Sequence, residues 1–328
     1  MSGRKLSVAL PVRNGANFLA AALASILEQS HPDFDLFVSD NASDDQTPAI
    51  LAEFARADSR VKVSRSATLL SQVANMNRAA ALADTPWIKL FCHDDLMRAD
   101  CLERIAAAID AVAGSRVAII GNGERHLFGN GQMTDAEADR PLNIVPGREA
   151  LRRRFSWASE ALPMPAVTTA TVRKDVFDSR GGFDARYVHF DIFCWYEMLV
   201  DWDYAWLPAQ LTVNRIHGRQ VAIDARRSGR SIADYRSFFP DFAARHGKEL
   251  ELGASAQMRA ILIPMGFAAT TLAAAAKAGR WSELSTVIAK LPLPWLLPLL
   301  PLSLRAWVTE SRRMAGLTGK VPIDLLYP

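Results

Sequence analysis

Cysteine is scarce in this chain of 328 residues: there are three, Cys92, Cys101 and Cys194, with none of the close spacings that hold zinc. An odd, small number also argues against a disulfide framework and suits a reducing compartment. Excess charge is missing too. Lys and Arg total 38 against 35 Asp and Glu, a net +3, so the chain carries no overall electrostatic footprint for nucleic acid. No apolar stretch is both long and unbroken. Leu291–Leu302 comes nearest, but it is short and interrupted by four prolines, which argues against a spanning helix. Internal repeats, low-complexity linkers and heptad runs are absent. The residues Ser2 to Lys5 lead into a strand-like segment rather than an apolar leader, so a cytoplasmic location is expected.

Half of the residues are hydrophobic, enough for one large core and a smaller helical appendage. They fall into a regular alternation. Leu6–Val12 reads as a strand, Arg13–Asn17 punctuates it, and an Ala- and Leu-rich stretch to Gln29 suits a helix. Phe34–Ser39 is a second strand, followed by the polar run Asp40–Thr47 and a helix starting near Ser43 or Thr47. Val61–Val63 is a third strand, the segment ending at Asp94 a fourth, and Leu96 to Val112 looks helical. Strand alternating with helix implies an α/β fold with parallel strands and right-handed crossovers, which places the polar clusters after each strand on one sheet edge.

That edge is where open α/β sheets present ligand-binding groups. The fourth strand ends there in two adjacent carboxylates, Asp94 and Asp95. Their mutual repulsion is relieved by a cation or by a hydroxyl donor to one of them. A hard divalent ion, Mn²⁺ or Mg²⁺, fits, because it takes one or two carboxylates and keeps its other positions for water and phosphates. The residues alone also allow a solvated turn in which Asp caps the following helix.

Several motifs in order resemble the inverting glycosyltransferases of family 2. They are Pro11-Val12-Arg13-Asn14, Asp40-Asn41-Ala42-Ser43-Asp44-Asp45-Gln46-Thr47, Asn77 leading to His93-Asp94-Asp95, Gly181-Gly182-Phe183-Asp184, and Asn214-Arg215-Ile216-His217. The resemblance spans residues 6–220 and implies a GT-A fold, a Rossmann-like, mostly parallel sheet flanked by helices. It implies Asp40 beside the nucleotide base, Asp94 on the ribose, Asp95 and His217 on the metal, and Asp191 as the catalytic base. Pro11, Arg13, Asn14, Asn77, Arg215 and Arg219 complete the expected nucleotide-sugar contacts. Gly182, Phe183, Asp184 and Trp195 stand on the acceptor side, with aromatic residues from Trp157 to Thr171 and Gly181 to Trp195 stacking on sugar faces. Two positions depart from the family: Arg13 stands where Tyr is usual, and Phe190 precedes Asp191 where Glu is usual. His93 is expected to position the acidic turn or to face solvent.

The implied activity is metal-dependent, inverting transfer of a sugar, most simply UDP-linked, to a glycan or lipid-linked acceptor in cell-surface polysaccharide synthesis. Two alternatives come from other classes. A sugar-nucleotide nucleotidyltransferase would carry a Gly-rich basic phosphate loop, and Arg13–Asn17 is poor in glycine. A non-catalytic scaffold would have little use for Asp95, Asp191 and His217 together.

The domain expectation is a catalytic domain at 1–222, with a nucleotide-sugar half at about 1–115 and an acceptor half at 116–222, then a helical region at 223–328. Arg226, Arg227 and Arg230 form either a loop that closes on diphosphate or a solvated linker. Trp295, Trp307, Arg305, Arg312 and Arg313 within 291–313 suit a peripheral contact with the inner face of the cell membrane. Burial of the same leucines against the catalytic domain, or in a homo-oligomer, is the alternative.

Overall fold

The computed structural model of the chain describes residues 6–156, 162–217, 224–225 and 228–256, together with Ala260, Ile263 and Thr271. The first half follows the alternation. Strands β1 (Leu6–Val12), β2 (Asp35–Asp40), β3 (Val61–Arg65) and β4 (Trp87–Leu90) run parallel in the spatial order β3-β2-β1-β4. Helices α1 (Leu19–Leu27), α2 (Thr47–Ala57) and α3 (Gln72–Leu82) make the crossovers. β1 and β2 are buried along their whole length, as expected of central strands covered on both faces. Their pairing sets Val12 beside Asp40 and Asp40 beside Arg65, so the segments following these strands emerge at one edge.

Two boundaries differ from the sequence reading. β4 stops at Leu90, and Leu96–Met97 is not helical but forms a short strand, β5, with α4 (Cys101–Ala111) starting later. The cause is remote: Leu96 and Met97 pair antiparallel with Val213 and Thr212, and the Arg98 N–H donates to the Leu211 carbonyl at 2.9 Å. Local periodicity carries no trace of such a partner.

Beyond α4 come β6 (Val117–Phe128), β7 (Asn143–Val145), α5 (Gly147–Ser156), a 3₁₀ turn (Val167–Thr169), β8 (Ala170–Arg173), α6 (Lys174–Ser179), α7 (Phe190–Leu199) and β9 (Asp203–Ile216). The sheet continues from β4 as β8-β6-β9-β5, and β7 adds to β9. β8 is antiparallel to both neighbours, whereas β6 and β9 are parallel with register shifts around Asn122–Glu124. The two strands expected at Tyr204–Leu207 and Leu211–Val213 are one continuous β9.

Alternate residues of each strand feed two cores. Val8, Leu10, Leu36 and Val38 pack with α1 and α4, while Ala9, Phe37, Ile88 and Leu90 pack with α3, α5 and α7. The helix Arg230–His246 joins the second core. Its Phe238 stacks on Phe193 with ring centres 4.0 Å apart, and Phe242 stacks on Phe155 at 5.9 Å. This helix therefore shares apolar burial with α5 and α7. The expected boundary at 222–223 lies outside the described residues, as do Arg219, Arg226, Arg227, Trp157 and the whole of 291–313. Among the described residues no helix is long and apolar enough to cross a membrane.

Candidate active site

The edge above β1 and β2 is stitched by its own polar groups. Arg13 donates from Nη1 to the carbonyls of Asn41 and Ala42 at 2.9 and 3.1 Å. The backbone N–H groups of Asn14, Gly15 and Ala16 donate to Ser43, Thr47 and Asp45 side chains, and Asn14 Oδ1 accepts from the Asp44 N–H. Asn14 and Ala42 hold positive φ values of 49° and 50° in this corner. Such conformations cost energy and persist where surrounding bonds over-determine them. Arg13 is thus employed on carbonyls, and Asn14 ties the two loops. Pro11 is buried in β1.

Asp40 ends β2 and is 1% exposed; it accepts from the Ser43 N–H at 3.1 Å and has Arg65 Nε at 3.6 Å. Beneath it lies a polar cluster that the sequence reading did not pick out. Ser39 donates to Asn75 Oδ1, Arg78 donates to the Ser39 and Ser64 hydroxyls, and Asn41 exchanges two bonds with the Leu70 backbone. These bonds satisfy buried donors and fix the β2 and β3 ends as a rigid floor.

The acidic turn follows β4. One ligand atom each from Cys92, Asp94 and Asp95 lie within 4.8 Å of one another. Asp95 is 3% exposed, and burial, reinforced by the charge of Asp94, holds its pKa well above the usual carboxylate range. It accepts from the Arg215 N–H at 3.1 Å. Asp94 Oδ2 meets His217 Nε2 at 3.1 Å, and His217 stacks on Phe18, whose ring also lies under the Arg215 guanidinium. The end of β9 and the start of α1 therefore converge on the turn after β4. Asp94, Asp95, Arg215 and His217 are brought together.

This donor set fits a hard dication. Two carboxylates that repel in a desolvated turn, with an imidazole beside them, supply the O and N ligands such ions take. Cys92 is a poor member: burial and both aspartates push its thiol pKa well up, so it stays protonated.

His93 is placed inside rather than toward solvent. Its ring hydrogen-bonds the Pro11 backbone, burial lowers its pKa despite the pull of Asp94, and a Cβ on Gly15 would lie 2.6 Å from its Cδ2. A glycine is required for that close approach. His93 thus packs the β1 loop against the acidic turn.

Asp191 sits at the first turn of α7, within electrostatic reach of Cys92. Burial raises its pKa to about 6, opposed by the N–H groups of Ile192 and Val167. Ile192 donates to its Oδ1 at 2.9 Å.

On the acceptor side the structure redirects several expectations. Asn77 is not turned to a nucleotide: its amide donates to the Phe183 carbonyl and accepts from the Phe183 N–H, both at 2.8 Å, clipping α3 to the Gly181–Asp184 loop. Gly182, at φ 72°, passes so close that a Cβ would lie 2.7 Å from Asn77 Oδ1. Phe183 and Trp195 are 3% and 0% exposed, and Trp195 Nε1 donates to the Pro165 carbonyl. Both are core residues rather than sugar platforms, because the second core needs large apolar groups at those positions. Asp184 pairs with Arg186.

Comparison with known proteins identifies the family. Residues 7–179, just over half of the chain, match the family described as Glycosyl transferase family 2, and the chain belongs to that family of enzymes. It is 36% identical over 111 residues to a PGL/p-HBAD biosynthesis glycosyltransferase of Mycobacterium bovis, covering 33% of this chain and 43% of that protein. It is 27% identical over 99 residues to a putative teichuronic acid biosynthesis glycosyltransferase, TuaG, of Bacillus subtilis, covering 30% and 39%. The matches thus span less than half the length of these curated relatives. Among solved structures, the mannosyltransferase PcManGT of Pyrobaculum calidifontis, in complex with GDP-Man and Mn²⁺, superposes with a TM-score of 0.58 at 18% identity. That match covers 98% of this chain and 89% of the other. TarS 1-349 of S. aureus, in complex with UDP-GlcNAc, gives 0.55 at 17%, covering 95% and 92%. At these identities the likeness concerns fold, which is the GT-A fold.

Proposed function

We propose that this glycosyltransferase is metal-dependent and inverting, and that it moves a sugar from a nucleoside-diphosphate donor, UDP-linked in the first instance, to a hydroxyl of a glycan or lipid-linked acceptor. Cell-surface polysaccharide synthesis is the setting that the similar transferases suggest. The observation that carries the reading is the convergence of Asp94, Asp95 and His217 on one turn, with the raised carboxylate of Asp191 in electrostatic reach of the same turn.

Asp95 and Asp94, with His217, would hold the dication, which when bound offsets negative charge on the departing diphosphate. Asp191 acts on the other reactant. A carboxylate with a pKa of about 6 is mostly ionised at neutral pH and remains basic enough to take the acceptor hydroxyl proton. As the acceptor oxygen bonds to the anomeric carbon, its proton passes to Asp191. The bond to the diphosphate breaks, and the leaving group departs with the electron pair. One in-line displacement inverts the anomeric configuration. Arg215, packed over Phe18, brings a fixed cation to the diphosphate side. Asp40, on its floor of Arg65, Ser43 and Asn75, is the proposed base-side carboxylate.

The test is a thermal-shift panel of UDP, GDP, CMP and dTDP, each with Mn²⁺, Mg²⁺ or EDTA. Stabilisation by one nucleotide only in the presence of metal is expected, UDP with Mn²⁺ giving the largest shift. Equal stabilisation in EDTA would remove the metal from the reading.

A further inference from the structure

Lys89 is in the middle of β4, fully buried, where an apolar side chain would cost less. Burial pushes its pKa down to about 8, and Cys101, Glu124, Cys92 and Asp95 pull it back up. Its Nζ donates to Asn122 Oδ1 at 2.9 Å and to the Thr168 carbonyl at 2.8 Å. Asn122 is itself fixed, donating to the Gly123 carbonyl and toward the Thr212 hydroxyl.

Thr168 belongs to the 3₁₀ turn that enters β8. Because β8 runs antiparallel to β4, with Lys89 opposite Thr171, this turn lands beside the acidic turn after β4. It faces both proposed reaction partners. The Thr168 hydroxyl, in a residue 2% exposed, has no hydrogen-bond partner among the described residues, and it lies near enough to Asp95 to favour that carboxyl's ionised form against the larger effect of burial. The neighbouring Val167 N–H does the same for Asp191. The approach to the turn is held by Trp195 Nε1 on the Pro165 carbonyl and the Tyr204 hydroxyl on the Pro163 carbonyl, at 2.8 and 2.6 Å.

We infer that Lys89 is a positioning residue: by gripping the Thr168 carbonyl from beneath the sheet, it sets the Val167–Thr169 turn as a brace that fixes the spacing between the cation carboxylate Asp95 and the base Asp191. The inference rests on the metal-dependent reading above. A buried ammonium suits this task because it donates to two fixed acceptors at once, where an apolar residue would deprive the Thr168 carbonyl and Asn122 Oδ1 of this donor. The brace touches Asp95 through one residue and Asp191 through the next, so a shift of the turn disturbs both.

The experiment uses the full chain with Mn²⁺ titrated against melting temperature in the presence of UDP or, if the panel selects it, GDP, and nucleotide release from the corresponding sugar donor as the turnover assay. Thr168→Val, which keeps the shape and removes the hydroxyl, is expected to raise half-saturating Mn²⁺ about fivefold with kcat at saturating metal held within about twofold. Lys89→Met is expected to raise half-saturating Mn²⁺ about tenfold and also to lower kcat at saturating metal and donor about tenfold. A role in packing alone would lower the melting temperature of Lys89→Met and leave both constants of the folded fraction at wild-type values, which overturns the inference. If Lys89→Met does not fold, Thr168→Val decides: an unchanged Mn²⁺ half-saturation overturns the brace. A wild-type protein with no Mn²⁺-linked shift removes the functional reading itself, and the brace with it. A wild-type shift with unaffected variants removes the brace alone.

Discussion

The turn after β4 and the first turn of α7 each draw a carboxylate out of water, but they surround it with different company. At Asp95 burial is compounded by a second carboxylate next in the chain, so protonation or a cation must relieve the pair. At Asp191 burial is opposed by backbone N–H groups, those of Ile192 and Val167 among them, and the pKa settles at about 6. On the proposed function, the first environment would attract a metal ion and the second would exchange a proton near neutral pH, two acids of the same type taking separate tasks from what lies beside them.

The sharpest way to break this contrast is to remove each charge while keeping the shape. Asp95→Asn is expected to abolish the metal-linked thermal shift and to lower turnover by roughly 10³-fold. Asp191→Asn should lower kcat by about 10²- to 10³-fold while nucleotide and metal binding, read by the same thermal shift, stay at wild-type levels. Full turnover in the second variant would take the base role away from Asp191.

The pH dependence separates the two sites further. With its folded pKa raised to about 6, Asp191 must lose its proton to act, so kcat is expected to climb through pH 6 and level off above about 7. Stability moves the other way. A carboxylate whose pKa is raised on folding destabilises the native state increasingly from the unfolded value near 3.8 upward, with the full penalty present above about 6. Asp191→Asn should therefore match the wild type in melting temperature at pH 4 and exceed it at pH 7.5, the gain being on the order of 2 kcal/mol. Melting curves at the two pH values check the sign.

The same pair of regions explains what could be read without coordinates. In the first half each polar motif follows a parallel strand, so alternation alone assigns Asp40, Asp94 and Asp95 to one edge. There the fold was legible, and the structure has these carboxylates at the end of β2 and in the turn after β4 on that edge. From β5 onward position along the chain stops being informative, because β5 and β8 pair antiparallel with strands remote in sequence. Phe183 and Trp195 look like sugar platforms in sequence and prove to be core. Asn77 resembles a ligand contact and proves to be a clip on Phe183. Lys89 carries no signal in sequence, since a single lysine in an apolar strand has no periodic signature. Its meaning comes from the Thr168 carbonyl, which only folding brings near.

Gly182 offers a medium-sized test of the acceptor side. A methyl group there would press on Asn77 Oδ1 and sit at a φ of 72°, so Gly182→Ala is expected to cost about 1–3 kcal/mol in stability. Since the loop is clipped by Asn77 rather than by the acidic turn, the Mn²⁺ half-saturation of the folded protein should not move. A metal defect in this variant would mean that the two halves are coupled more tightly than the bonding pattern implies.

The smallest expected effect is at Phe18, which meets the side chains beside the acidic turn without carrying charge. Its ring stacks on His217 at 5.0 Å and lies under the Arg215 guanidinium at 5.3 Å. It therefore orients one proposed metal neighbour and one proposed phosphate neighbour by contact alone. An aromatic and a cation–π contact of this kind are each worth about 0.5–1 kcal/mol where partly exposed. Phe18→Leu, which keeps apolar bulk at the start of α1, should therefore raise half-saturating Mn²⁺ and the donor KM by about two- to fivefold, with kcat unchanged at saturation. A fall in kcat instead would mean that Phe18 acts on the reacting centre, and that the division between a cation site and a proton site is less clean than their surroundings suggest.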